Sequence, residues 1–153
     1  MRIACIGEVM IEIVSESADA RLNVAGDTYN TAAYLAQLGA DVSYVTALGH
    51  DTFSQRAIDD MSARGITPHV RRHPSRNIGL YAIDVDATGE RSFTYWRSES
   101  AARTLFDDAD FSALDAFDMI VLSGITPAIL PHQVRTQLIK ALDATHAQVV
   151  YDS

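Results

Sequence analysis

The chain has 153 residues, of which 48% are hydrophobic and 21% are charged, a balance typical of one globular domain with its own core. Its net charge of −8 argues against nucleic acid and against an anionic membrane surface as main partners. The one basic cluster, at Arg71, Arg72, His73 and Arg76, lacks interleaved aromatic residues and is expected to be a solvated loop.

Cysteine usage and the lengths of the apolar runs predict a cytoplasmic protein. The single cysteine, Cys5, lies in an apolar segment, so no disulfide can form within the chain. A thiol buried among apolar side chains is inert, and Cys5 is therefore not expected to be a nucleophile. No apolar run approaches the roughly 20 residues that a bilayer-spanning helix needs, and the apolar stretch at the N-terminus is too short for a signal peptide.

The first half of the chain alternates between predicted strands and helices. Short apolar or alternating segments predict strands over residues 3–7, 9–14, 19–24 and 41–48. An apolar face predicts a helix over 27–38 that ends at Gly39, and a second helix lies between an N-cap at Asp51 and a terminating Gly65. This alternation favours an α/β fold with a parallel sheet.

The middle of the chain is predicted to form a hairpin. Residues 70–97 show no helical period. Within them, residues 78–85 and 91–97 have the composition of two strands, joined by the polar turn 86–89. A hairpin inside an α/β series predicts a small sheet that projects from the main layer.

The α/β pattern resumes in the last third of the sequence. It predicts a loop and short helix over 105–116, a buried strand over 117–122 and a helix over 131–145. A further strand begins at Gln148, and the sequence ends where a parallel sheet would place a ligand site. We therefore expect these residues to be the N-terminal part of a longer protein.

Two polar turns stand at predicted helix starts, at 25–30 and at 49–51. The first N–H groups of a helix have no partner within the helix, and they carry a partial positive charge. The run Ala25-Gly26-Asp27-Thr28-Tyr29-Asn30 is therefore expected to hold a polar or anionic small ligand.

Several segments in order resemble a known family. They are Gly7-Glu8-Val9-Met10-Ile11-Glu12, Gly26-Asp27-Thr28-Tyr29-Asn30, Leu38-Gly39, Leu48-Gly49-His50-Asp51-Thr52-Phe53, and the stretch from Tyr95 to Ala102. This series resembles the N-terminal half of the ribokinase-like (PfkB) sugar kinases, in particular the 2-keto-3-deoxygluconate kinases. The resemblance implies a single three-layer α/β/α portion over residues 1–153 with a projecting β-sheet lid, truncated before its C-terminal half. The lid strands are expected within 9–24 and 70–97, and the α/β layer elsewhere.

The sequence departs from the family pattern at three places. Ala25 precedes Gly26 where the family has two glycines, and Ser54 stands where a glycine often follows Phe53. The second family signature, Asp-Thr-x-Gly-Ala-Gly-Asp, is absent, and with it the catalytic Asp and the anion hole. The resemblance therefore implies ATP and Mg²⁺ for the full-length protein but no catalytic residue and no kinase activity in this chain alone. The five histidines lack metal-ligand spacing, so no protein-held metal is expected.

By resemblance, five residues are expected to bind substrate: Glu12, Gly26, Asn30, Tyr81 and Arg97. Gly26 would let the backbone approach the substrate, while Asn30 and Glu12 would bind hydroxyl groups. Tyr81 and Arg97 would close over the ligand as part of the lid, and Arg97 can bind a carboxylate with two parallel hydrogen bonds. The ordinary alternatives are a turn for Gly26, a polar first-turn residue for Asn30, a solvent-facing strand residue for Glu12, core packing for Tyr81 and a surface position for Arg97.

Four nearby residues have mainly structural interpretations. Tyr95 and Trp96 are expected to pack the hairpin against the core. Asp27 is interpreted as a helix cap, and Asp51 as an N-cap with a direct substrate role as the alternative.

The function expected from the resemblance is transfer of the ATP γ-phosphoryl group to a hydroxyl of 2-keto-3-deoxygluconate, a sugar acid. The alternatives are a kinase for fructose, ribose or a nucleoside, or a non-catalytic module that binds a sugar acid or mediates oligomerisation. An apolar lid face also predicts a homodimer formed through the lid.

Overall fold

The computed structural model describes residues 1–16, 19–86 and 88–153. Residues 17 and 18 of the predicted lid segment, and Ala87 of the predicted hairpin turn, lie outside this part. In chain order the elements are β1 (Arg2–Ile6), β2 (Met10–Glu16), β3 (Asp19–Ala25), α1 (Asp27–Gln37), β4 (Asp41–Leu48), α2 (Thr52–Ala63), β5 (Thr67–Arg72), β6 (Gly79–Val85), β7 (Arg91–Trp96), 3-10 helices at Ala101–Thr104 and Ser112–Ala116, β8 (Met119–Ser123), α3 (Ile125–Ile129), α4 (His132–Ala144) and β9 (Gln148–Asp152).

Five strands form a parallel sheet in the order β5-β4-β1-β8-β9. The central strand β1 consists almost entirely of apolar residues and is buried along its length after Arg2. Such a continuous apolar run is typical of a parallel strand covered on both faces. We call this five-stranded array the main sheet.

Helices cover both faces of the main sheet. On one face, Ile3 and Cys5 pack with Tyr29 of α1 and with Ala57 and Met61 of α2. On the other face, a separate core cluster joins β1, β4 and β8 to the two 3-10 helices, α3 and α4, and it includes Ile6, Ile120, Phe117, Ile129 and Leu138. The expected three-layer α/β/α arrangement is therefore confirmed. No helix in the described part of the chain is both long and apolar enough to cross a membrane.

The remaining four strands form a second sheet in the order β3-β2-β6-β7. Strands β6 and β7 pair as an antiparallel hairpin, as predicted, and β6 pairs in parallel with β2. Strand β7 lies at the edge, and all six of its residues are exposed. We call this array the four-stranded sheet.

The predicted helix ends are confirmed for α1 and α2. Gly39 and Gly65 follow the two helices with positive φ angles of 87° and 73°, which suits glycine. Asp51 is the N-cap of α2, because its Oδ1 accepts a 2.9 Å hydrogen bond from the Ser54 backbone N–H.

The structure corrects the interpretation of the basic cluster as a solvated loop. Arg71 and Arg72 end strand β5, which pairs with β4 at the edge of the main sheet. The Arg71 guanidinium donates to the Thr104 carbonyl at 3.2 Å, and the ring of His69 in the same strand packs edge-on against Phe117. The sequence pattern does not predict this strand. An edge strand that pairs on one side can form with few apolar residues, and Thr67–Arg72 contains few. The short helix α3 was also missed.

Candidate functional site

A hollow lies where the four-stranded sheet meets the carboxyl ends of β1 and β8. The strand order reverses at this point, since β4 lies on one side of β1 and β8 on the other. In parallel sheets, ligands bind at such reversals. The hollow has a volume of about 170 Å³ and is lined by Met10, Gly26, Asp27, Asn30, Tyr81, Phe93, Tyr95, Arg97 and Ile125. It brings together four of the five residues expected to bind substrate.

The floor of the hollow is the start of helix α1. Gly26 is the residue before the first turn, and a Cβ atom there would lie 2.4 Å from the carbonyl oxygen of Glu8. Since a backbone atom cannot move out of the way cheaply, this position requires glycine. Asn30 lies one turn later and is exposed, and its backbone N–H donates to the Gly26 carbonyl at 2.7 Å.

Glu12 lies beside the hollow and not in its lining. Its carboxylate accepts hydrogen bonds from the Tyr81 hydroxyl and, at 2.9 Å, from the Asn23 amide. It lines an adjoining polar groove of about 380 Å³ that Asn30 shares. Burial and the bond to Glu12 raise the pKa of the Tyr81 hydroxyl, so Tyr81 keeps its proton. Glu12 is therefore connected to the hollow only indirectly, by its hydrogen bond with Tyr81, which is part of the lining.

Arg97 forms an ion pair with a residue that sequence reasoning missed. Its Nη2 contacts Oε2 of Glu8, whose side chain is 1% exposed. Oε1 of Glu8 accepts a 2.6 Å hydrogen bond from the Ser100 hydroxyl. Burial raises the pKa of Glu8, against the lowering effects of Ser100 and Arg97. A signal was available, because Glu8 is a charged residue inside an otherwise apolar stretch that leaves β1.

Aromatic rings from the hairpin form one wall of the hollow. The Tyr81 and Tyr95 ring centroids are 5.8 Å apart, and Phe93 and Tyr95 stack at 6.3 Å. The expectation that Tyr95 and Trp96 pack against the core is wrong, since they are 52% and 56% exposed. The reason is their place on β7, an edge strand with no described element beyond it.

Asp27 has a different role from the expected cap. The N-cap of α1 is Gly26, and Asp27 is the first helical residue. Its Oδ1 accepts from the Thr28 N–H at 2.6 Å, and its Oδ2 accepts a hydrogen bond from the Ser123 hydroxyl. Asp27 therefore ties the start of α1 to the end of β8 and presents a carboxylate to the hollow.

Known proteins resemble this chain in sequence and in fold. The pfkB family carbohydrate kinases match residues 1–153, the whole chain. The chain belongs to this family. The family resemblance of its segments is thereby confirmed, and so is the ribokinase-like architecture, which solved structures of this family share.

Three known proteins illustrate the similarity in sequence and fold. The 2-dehydro-3-deoxygluconokinase of Dickeya dadantii is 40% identical over 163 residues, covering 99% of this chain and 53% of the relative. The crystal structure of 2-dehydro-3-deoxygluconokinase from Thermotoga maritima matches with a TM-score of 0.86 and 25% identity, over 99% of this chain and 50% of that one. Fructokinase from Xylella fastidiosa with bound ATP matches with a TM-score of 0.82 and 20% identity, over 98% and 50%. The chain spans about half the length of the curated relatives it matches.

Proposed function

We propose that this chain carries the sugar-recognition half of a kinase that transfers the γ-phosphoryl group of ATP to a hydroxyl of 2-keto-3-deoxygluconate. The compound is the same as the 2-dehydro-3-deoxygluconate in the names of the relatives. The observation that carries the proposal is the shared hollow, where Gly26, Asn30 and Arg97 meet.

The chemistry of the hollow suits an acidic sugar. The planar Arg97 guanidinium has five N–H donors, and its ion pair with Glu8 involves Nη2. The other N–H groups of the guanidinium can donate to a substrate carboxylate, and several donors in one plane are the reason that arginine suits this role better than lysine. Asn30 and the Asp27 carboxylate supply hydrogen-bonding groups for hydroxyls, and the Tyr81–Tyr95 wall supplies apolar contact. We therefore assign direct contacts with the substrate to four residues, Arg97, Asn30, Gly26 and Tyr81. Glu12 is assigned an indirect role through its hydrogen bond with Tyr81.

ATP and Mg²⁺ enter the proposal through the family, with support from the fructokinase whose structure contains ATP. Within residues 1–16, 19–86 and 88–153, no three His, Cys, Asp or Glu side chains come together as metal ligands. In this proposal the metal is bound with the phosphates of ATP. We assign no catalytic base in this chain and expect it to bind sugar acid without transferring phosphate.

The exposed edge of the four-stranded sheet supports a homodimer. Phe93, Tyr95 and Trp96 project from β7 with about half of each side chain exposed. Aromatic groups at an open strand edge favour pairing with a second copy of the chain. We assign this sheet as a lid over the hollow and the protein to the cytoplasm, where the free, buried thiol of Cys5 stays reduced.

One observation favours a second candidate. The fold match to fructokinase is nearly as good as the match to 2-dehydro-3-deoxygluconokinase, and an aromatic wall also suits the face of a neutral sugar. A fructose kinase would not need the guanidinium of Arg97, so the two candidates differ in how much each depends on this residue.

Calorimetry with 2-keto-3-deoxygluconate and with fructose tests the proposal. The chain should bind the sugar acid more tightly, and Arg97→Ala should weaken that binding about 10- to 100-fold while changing fructose binding little. Arg91→Ala is the matched control, because Arg91 is an exposed arginine at the start of β7, the strand that Arg97 directly follows. Equal loss for both sugars, or tighter binding of fructose by the unmodified chain, would contradict a sugar-acid site.

A further inference from the structure

The carboxylate of Glu8 lies at the junction of the two sheets. Glu8 belongs to the short link from β1 of the main sheet to β2 of the four-stranded sheet. Arg97 and Ser100 belong to the return link, from β7 to the 3-10 helix Ala101–Thr104. The two links meet side by side, and Glu8 is the charged group between them.

Each oxygen of the Glu8 carboxylate contacts one residue of the return link. Oε1 accepts from the Ser100 hydroxyl at 2.6 Å, and Oε2 pairs with Nη2 of Arg97. The Ser100 backbone N–H donates to the Arg97 carbonyl at 3.1 Å, which fixes the spacing of the two partners. Ser100 is itself buried, at 3% exposed.

A third segment leaves room for this ion pair. Gly79 begins β6, and a Cβ atom there would lie 2.8 Å from Oε1 of Glu8 and 3.2 Å from Cβ of Arg97. Any side chain at this position would push on both partners at once. The glycine at position 79 therefore leaves the space that the Glu8–Arg97 contact occupies.

Stability alone does not account for a buried carboxylate at this place. Removing charges from water costs more than a single ion pair returns in many proteins, and apolar replacements of such pairs are often at least as stable. Arginine, however, has many rotamers, and a binding site gains affinity when its groups are held in the bound conformation beforehand. Glu8 pairs with Arg97, whose guanidinium lines the hollow.

We propose that Glu8 is a positioning residue, which holds Arg97 in the orientation that recognises the carboxylate of the substrate. The inference rests on the proposed function for the identity of the ligand. The side chain of Glu8 pairs with Arg97, which lines the hollow, so the effect of the Glu8 carboxylate on binding passes through Arg97. The alternative is the opposite effect, in which Glu8 neutralises the charge of Arg97 and makes the site better suited to an uncharged sugar.

Glu8→Gln separates these effects, because it keeps the size of the side chain and a partner for Ser100 while removing the charge. We expect the affinity for 2-keto-3-deoxygluconate to fall about tenfold, with fructose binding changed less than about twofold. In an Arg97→Ala background, Glu8→Gln should have no further effect on the sugar acid. Glu99→Gln is the matched control, because Glu99 pairs with Arg76 and is 83% exposed. Equal losses for both sugars, persistence of the loss without Arg97, or tighter binding of the acid would overturn the proposal.

A second measurement does not depend on the ligand. Proton exchange at the Nη2 N–H groups of Arg97, followed by NMR in the ligand-free chain, should speed up in Glu8→Gln and stay unchanged in Glu99→Gln. An unchanged rate in Glu8→Gln would overturn the positioning role, whatever the chain binds. If the unmodified chain shows no preference for the sugar acid while the exchange rate responds as expected, the proposed function fails and the positioning role stands.

Ser100→Ala serves if Glu8→Gln does not fold. It removes one hydrogen bond from Glu8 and leaves the carboxylate in place. A smaller loss in the same direction, confined to the sugar acid, is expected. A loss shared equally by fructose would overturn the proposal.

Discussion

The main sheet and the four-stranded sheet differ in where their side chains lie. In the main sheet, β1 is buried on both faces between two helical layers. In the four-stranded sheet, every residue of β7 is exposed, and the aromatic and charged groups of the hairpin face the hollow. Burial in the main sheet stabilises the fold, whereas the four-stranded sheet presents groups that we propose recognise a ligand.

Matched truncations in the two sheets should give the largest contrast in stability. Ile6→Ala removes a fully buried side chain from β1 and should lower the free energy of unfolding by about 2–5 kcal/mol. Phe93→Ala removes a 48% exposed ring from β7 and should cost less than about 1 kcal/mol. Urea denaturation measures both. Similar costs at the two positions would contradict this difference between the two sheets.

A substitution at the start of α1, near the place where the two sheets meet, should impair both stability and ligand binding. Gly26→Ala places a Cβ atom against the Glu8 carbonyl and should destabilise the chain by about 1–3 kcal/mol. It should also abolish measurable sugar-acid binding in calorimetry, because the start of α1 must shift. The control is Gly124→Ala, where the nearest atom to a new Cβ is the Tyr151 hydroxyl at 3.3 Å. Unimpaired binding by Gly26→Ala would show that the start of α1 is not part of the site.

The N-cap of α2 should affect stability and leave binding unchanged. Asp51→Ala removes hydrogen bonds to Ser54 and should cost about 1 kcal/mol, with Asp59→Ala as the control on the exposed side of the same helix. Burial opposes the charge of Asp51, but the bonds from Ser54 outweigh it and hold its pKa below the ordinary 3.8. The stabilisation should therefore be complete above pH 3.8 and disappear as the pH falls through the lower native pKa. Weaker sugar binding in Asp51→Ala would restore the direct substrate role.

Glu8 should show the opposite pH dependence, with a smaller effect. Burial raises its pKa above the ordinary 4.5, while its neighbours Ser100, Arg97 and Arg103 act against this increase. Between the unfolded and the native pKa of Glu8, the native state binds more protons than the unfolded state. The contribution of Glu8 to stability is therefore lost as the pH rises through the native pKa. The stability of the unmodified chain relative to Glu8→Gln should therefore decline upward from pH 4.5 in urea titrations. A relative stability that grows with pH would show that the pair favours the charged form.

The sequence predicted the buried elements well. Local sequence signals predict the strands 41–48 and 78–85 and the ends of α1 and α2. Apolar periodicity marks the strands, and Gly39 and Asp51 mark helix ends. The edge strand β5 was missed because its pairing with β4 depends on a partner distant in sequence. For the same reason, the exposure of Tyr95 could not be deduced from an aromatic strand pattern, since composition does not say which strand lies at the edge.

The candidate site was predicted in part. Gly26, Asn30, Tyr81 and Arg97 were chosen by family resemblance, and the structure brings them to one hollow. Their roles toward a ligand stay predictions. A charge inside an apolar stretch marks Glu8 in the sequence, but its contact with a residue 89 positions later appears only in the fold.

A crystal structure of the chain with 2-keto-3-deoxygluconate tests the central claim most directly. The account predicts the sugar acid in the hollow between the start of α1 and the hairpin, with its carboxylate within hydrogen-bonding distance of the Arg97 guanidinium and its hydroxyls near Asn30. A ligand bound elsewhere, or bound in the hollow with its carboxylate directed away from Arg97, would contradict the account.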